Sequence, residues 1–218
     1  MTAMYDPPDD VTAYVTTQVA AGYAAAAEIR EAALELYGDE VEDDAGREAL
    51  AAAVDRALDD AIAAHAKAQA TWPSPTDNDR LAAAFAALAA RGILCAENFS
   101  CCQTCAGGEL MERIDDDRRA GRAWRGYAYF HEQDTDRAAE GGGLWLAYGL
   151  ARDDGDLASD AAVGEEVTAA LRAQGLAVEW DGRVETRLHV PMTWRRRRPD
   201  ADGRRSRRPF WKRLFGRG

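Results

Sequence analysis

Two prolines one residue apart, in Trp72-Pro73-Ser74-Pro75-Thr76-Asp77, constrain this chain more than any other feature. Proline has no amide hydrogen and clashes with the preceding helical turn, so no helix continues through this stretch. The hydrophobic pattern also changes soon after it. Before it, apolar residues recur at helical spacing: Val11, Val15, Val19 and Tyr23 form one stripe, and Ile29, Ala33, Leu36 and Tyr37 form another, with Gly22 as a break between them. Asp43 or Asp44 caps a third helix carrying Leu50, Val54, Leu58, Ile62 and His65. After it, Thr76 or Asp77 starts one more helix, with Leu81, Phe85, Leu88 and Ala89. Beyond Arg91 the period shortens to that of strands.

The second part reads as strand 93–99, helix 102–119, strand 126–131, a short helix 134–140, strand 144–150 and helix 161–174. A hairpin of 177–180 with 184–190 then turns at Asp181-Gly182. The expected fold is therefore α+β: a ferredoxin-like βαββαβ sheet with an extra C-terminal hairpin strand, preceded by a helical N-terminal part. The alternative is a doubly wound α/β sheet. It follows if the connection from His131 to Leu144 crosses the sheet, although that connection is near the shortest a crossover allows. The expected domains are residues 10–71, helical; 77–194, the α/β domain with the cysteines; and 195–218, a basic, disordered tail.

Charge separates the tail from the rest. Residues 193–218 hold 11 Lys/Arg against Asp200 and Asp202, while the other 192 residues hold 16 basic and 36 acidic groups. A body that acidic repels nucleic acid, so polyanion contact belongs to the tail. There Arg195, Arg196, Arg197 and Arg198, then Trp211, Lys212 and Arg213, are candidates for docking on an anionic membrane surface or for stacking on nucleic acid. A solubilising tail that folds back on its own acidic body is the third reading. No apolar run is long enough for a transmembrane segment, and the acidic start is unlike a signal peptide. The expected location is cytoplasmic, where thiols stay reduced and four cysteines are not a disulfide framework.

The chemically loaded segment is Ser100-Cys101-Cys102-Gln103-Thr104-Cys105, where a strand gives way to a helix. Free amides and the helix dipole at such a junction favour thiolates. Three roles are open to Cys101, Cys102 and Cys105: small thiols closing a tight turn, zinc ligands, or a redox pair made by Cys102 and Cys105. Cys95 lies too far back along its strand to join them. Zinc needs a fourth ligand, and His131 is the candidate. In the expected order the second strand runs antiparallel to the first, which places His131 at the far edge; the doubly wound alternative brings it to the cysteines. The segment 131–136 also collects a base, carboxylates and an amide, but Asp134 or Thr135 reads more simply as a helix cap. Gly141-Gly142-Gly143 precedes a strand, so it reads as a helix C-cap and turn, not a phosphate loop. His65 reads as a core residue.

Several blocks taken together resemble a bacterial family known only as a domain of unknown function, family 6891. They are Gln69-Ala70-Thr71-Trp72-Pro73 with Thr76-Asp77 and Asp79-Arg80-Leu81; Asn98-Phe99 leading into the cysteine cluster; Gly126-Tyr127 running to His131; Gln133-Asp134-Thr135; Glu140-Gly141-Gly142-Gly143-Leu144; and Leu146-Ala147-Tyr148-Gly149. The resemblance spans roughly residues 10–195. It implies a glycine after the third cysteine, where this chain has Ala106 before Gly107. It implies no activity. With no complete catalytic constellation in the chain, the expected function is a non-enzymatic binding or structural module with an unknown protein partner. The alternatives are a zinc module and a thiol redox protein.

Overall fold

The computed structural model describes residues 9–39, 41–151 and 157–198. The chain divides into two compact units, Met1–Trp72 with Arg196–Gly218, and Pro73–Arg195.

The first unit holds helices α1 (Asp9–Ala21), α2 (Ala26–Gly38) and α3 (Asp44–Gln69). The stripes read from sequence are its core: Val11, Val15, Val19, Ile29, Ala33, Leu50, Val54 and Leu58 are buried together. Gly22, at φ +77°, turns the chain between α1 and α2. Asp43 caps α3 by accepting from the Gly46 amide at 2.7 Å, satisfying one of the donors a helix start leaves free. His65 is buried edge-on to Trp72, with ring centroids 5.1 Å apart. Leu36 departs from its stripe and stays exposed.

Arg195 to Arg198 do not begin a free tail. The Arg198 side chain is buried; its guanidinium donates to the Val19 carbonyl at 3.4 Å and the Ala24 carbonyl at 3.1 Å. Its backbone exchanges bonds with the Gln69 side chain, 2.8 Å to Oε1 and 3.4 Å from Nε2. Arg196 lies over the Tyr23 ring at 3.8 Å, and the Arg195 amide donates to Asn78 Oδ1 at 2.6 Å in the second unit. Local composition resembles a tail, but these long-range backbone bonds hold the segment in place. Trp211, Lys212 and Arg213 lie outside the described residues.

The second unit holds α4 (Asp77–Ala89), β1 (Ile93–Ala96), α5 (Gln103–Arg119), β2 (Gly126–Tyr129), α6 (Glu132–Ala139), β3 (Leu144–Leu150), α7 (Leu157–Ala173) and β4 (Leu188–Val190). Thr76 caps α4 through a reciprocal box with Asp79. The architecture is α+β, and the four strands lie in sequential order. β2 and β3 pair antiparallel, Gly126 opposite Leu150, so the short α6 does not carry the chain across the sheet. One expectation is corrected. β1 and β2 are neighbours and run parallel, Ile93 opposite Gly126 and Ala96 opposite Tyr129. The 17-residue α5 supplies the crossover that parallel neighbours require. It buries Ala106, Leu110 and Ile114 against Leu94, Ala96 and Tyr129.

The C-terminal hairpin is shorter than its sequence suggests. Glu179 and His189 form a single bridge, and only Leu188–Val190 pairs with β3. Asp181 Oδ1 accepts from the Arg183 amide at 3.0 Å and the Thr186 hydroxyl at 2.5 Å, so side chains fold the turn that strand bonds would otherwise shape. Gly141 and Gly143 take positive φ, and the Gly142 amide returns to the Arg137 carbonyl at 2.8 Å, closing α6 as a helix C-cap.

Candidate functional site

Because β1 and β2 run parallel, α5 and α6 begin at the same edge of the sheet. In open α/β sheets this edge, beyond the strands' carboxyl ends, is where ligands bind. The chain leaves β1 through Asn98 (φ +48°) and Ser100 (φ +63°), left-handed conformations rare outside glycine. Bonds from both sides hold this turn. The Phe99 amide donates to the Phe130 carbonyl at 2.9 Å, the Glu132 amide to the Ser100 carbonyl at 3.1 Å, and the Ser100 hydroxyl to Glu109 Oε1 at 3.1 Å.

That turn delivers Cys101, Cys102 and Cys105. Their sulfurs all lie within 4.8 Å of one another, and they are the one such group of three or more His, Cys, Asp or Glu among the described residues. Cys101 and Cys105 are exposed and Cys102 is half-buried. Cys102 is the N-cap of α5, whose first turn carries no acid. The backbone amide of Cys105, then the Cys105 and Cys101 thiols, pull the Cys102 thiol below its ordinary range. Cys105 is pushed up to about 11, because its proton is held in bonds to Cys101 and Cys102 and their charge opposes a second thiolate. Cys102 therefore ionises before Cys105. Cys95 lies on β1 with its Sγ 3.7 Å from the Ile93 carbonyl, and burial raises its thiol out of any reactive range.

His131 reaches the cysteine edge of the sheet but does not join the thiol group. It is the N-cap of α6, the role expected of Asp134 or Thr135. Its Nδ1 accepts from the Asp134 amide at 3.3 Å, and its Nε2 lies 3.1 Å from Asp134 Oδ2. Burial lowers the His131 pKa, against the pull of Asp134 and with help from Arg187 and Arg137. Sequence reasoning missed Arg187. Its Nη2 donates to the Asp134 carboxylate and to the Trp145 carbonyl at 2.9 Å, while its buried Nε has no hydrogen-bond partner among the described residues. An arginine directly before the Leu188-His189-Val190 strand was the only available signal.

The site's chemistry follows from its donors. Three thiols this close suit a soft or borderline cation, since tetrahedral zinc at about 2.3 Å from each sulfur needs them roughly 4 Å apart. No helix among the described residues is long and apolar enough to cross a membrane. The family described as a domain of unknown function, DUF6891, matches residues 6–198. No curated protein and no solved structure matches the chain.

Proposed function

Because the chain belongs to the DUF6891 family, which brings no activity with it, we propose from the site alone that this is a metal-binding module. Cys101, Cys102 and Cys105 hold one zinc ion as three thiolates, with no catalytic step. The observation that carries the reading is the gathering of three sulfurs within 4.8 Å at the start of α5. That spacing is close to the roughly 4 Å that three thiolates on one zinc require, and two of the three side chains, Cys101 and Cys105, are exposed. The helix start favours the negative charge three thiolates bring. Cys105 must lose a proton that it otherwise keeps to about pH 11, so zinc uptake releases protons and weakens as pH falls. Purification without chelators, followed by elemental analysis, tests the reading. One zinc per chain is expected in the wild type and none in the Cys101→Ser/Cys102→Ser/Cys105→Ser variant. Equal metal in both would refute it.

A second reading has its own observation. The Cys102 and Cys105 sulfurs, three positions apart at the start of α5, lie within 4.8 Å of each other, and a lowered Cys102 thiol beside a raised Cys105 thiol is the asymmetry of an attacking and a resolving cysteine. It calls for a reversible Cys102–Cys105 disulfide in metal-free protein, which mass spectrometry after mild oxidation detects. Cys101–Cys102 or intermolecular products alone would count against it.

A further inference from the structure

We infer that the metal held by Cys101, Cys102 and Cys105 takes its fourth ligand from outside the chain, and that this ligand is a thiolate. The inference rests on the metal-binding reading above.

The first half follows from counting donors. The chain has four cysteines and three histidines. Every one outside the cluster is among the described residues, and none of them joins the three sulfurs. Cys95 is enclosed on β1. His65 packs on Trp72, and His131 has both ring nitrogens on Asp134. His189 places Nδ1 2.8 Å from Glu179 and Nε2 3.3 Å from the Gly142 carbonyl, and stacks on Trp145 at 4.6 Å. No described carboxylate joins the three sulfurs within 4.8 Å. Among the described residues nothing offers the fourth donor that a zinc tetrahedron needs, and that position is assigned to an external one.

The second half follows from charge, softness and access. Three thiolates more than neutralise a divalent ion, which makes it a poor activator of water, and the soft donor set selects a metal that accepts thiolate. The added negative charge falls at the start of α5, whose first turn carries no acid. By contrast α2, α3, α4, α6 and α7 each carry at least one there. An acid would compete for the positive end of the helix dipole, and α5 leaves that end to the thiolates. Access is open: Cys101 and Cys105 are exposed and Cys102 is half-buried. The exchange balances without electron transfer. The incoming thiol forms a sulfur–metal bond, water leaves, and the thiol proton passes to solvent.

A free low-molecular-weight thiol and an exposed cysteine of another protein offer the same chemistry, and two arms of one experiment separate them. The full chain, kept reduced with a phosphine, is loaded with Co(II), and its sulfur-to-cobalt charge-transfer absorption is followed. One arm adds N-acetylcysteine and the other a short peptide with a single cysteine. Going from three to four thiolates raises the band by roughly a third, saturating at one thiol per metal and binding more tightly as pH rises. Tighter binding of the peptide identifies a protein donor, and tighter binding of N-acetylcysteine a free thiol. The Cys95→Ser and His131→Asn variants keep both the starting spectrum and the response; loss of a ligand signal in either would place the fourth donor inside the chain and overturn the inference. A three-thiolate spectrum that neither thiol changes overturns the inference while leaving metal binding intact. Failure to bind cobalt at all removes both.

Discussion

Replacing Asp134 tests whether the edge that carries the cysteine turn is held by a buried ionic network. Asp134 and His131 side chains are 3% and 6% exposed, and Arg187, which donates to Asp134, is 23% exposed. Removing one partner of a buried pair costs about 3–5 kcal/mol, because the other charge is left without compensation. Arg187 keeps some contact with water, which places Asp134→Ala near the lower end, about 3 kcal/mol. Asp134 also accepts from the His131 amide at 3.3 Å in the α6 capping box, and losing that bond adds up to about 1 kcal/mol. Urea unfolding followed by circular dichroism measures the change, and a melting shift of roughly 12–16 °C corresponds to it for a unit of this size. Asp134→Asn/Arg187→Met removes both charges while leaving a cap acceptor, so it regains more than half of the loss. A change below about 0.5 kcal/mol in Asp134→Ala, or a double variant no better than the single, would show that the network does not hold this edge.

Other consequences follow from named groups. Burial holds the His131 pKa below its ordinary 6.5, so below that pH the unfolded chain takes up a proton that the folded chain resists. Stability therefore falls as pH drops through about 6.5 towards the folded value, and His131→Asn, which can still cap α6, flattens that slope in urea titrations at stepped pH. Arg198→Ala removes two donors to the Val19 and Ala24 carbonyls and destabilises the helical unit by about 1–3 kcal/mol, read from its unfolding midpoint; no change would mean that Arg198 behaves as tail after all. We propose that polyanion binding resides after Arg198. Deleting residues 199–218 then abolishes co-sedimentation with phosphatidylserine vesicles, to which each basic residue contributes about 1 kcal/mol near the surface, whereas retained binding would move the contact to the folded part.

How far the sequence was legible depended on the range of the interaction. The caps at Asp43 and Thr76 and the stripes of α1 and α3 are local: a side chain meets an amide three residues on, or an apolar face repeats every turn. The direction of β2 is not local. It depends on where α5 packs, and the same run of elements permits either edge for His131. His131 as a cap was missed because hydroxyl and carboxylate side chains are the usual acceptors there, and Asp134 and Thr135 stood nearby. Arg187 meets Asp134 across 53 positions and Arg198 meets Gln69 across 129, separations that no spacing rule reaches. The thiol cluster was visible because its three members fall within five positions at a strand–helix junction. Its isolation from histidine became visible only once His131 was seen to turn to Asp134.

The most direct measurement of the central claim is X-ray absorption at the zinc edge of the loaded, full-length protein, prepared with a phosphine and no added thiol. The account predicts three sulfur neighbours at about 2.3 Å and one lighter neighbour near 2.0–2.2 Å. A shell made only of nitrogen and oxygen, or the same spectrum from the Cys101→Ser/Cys102→Ser/Cys105→Ser variant, would contradict it.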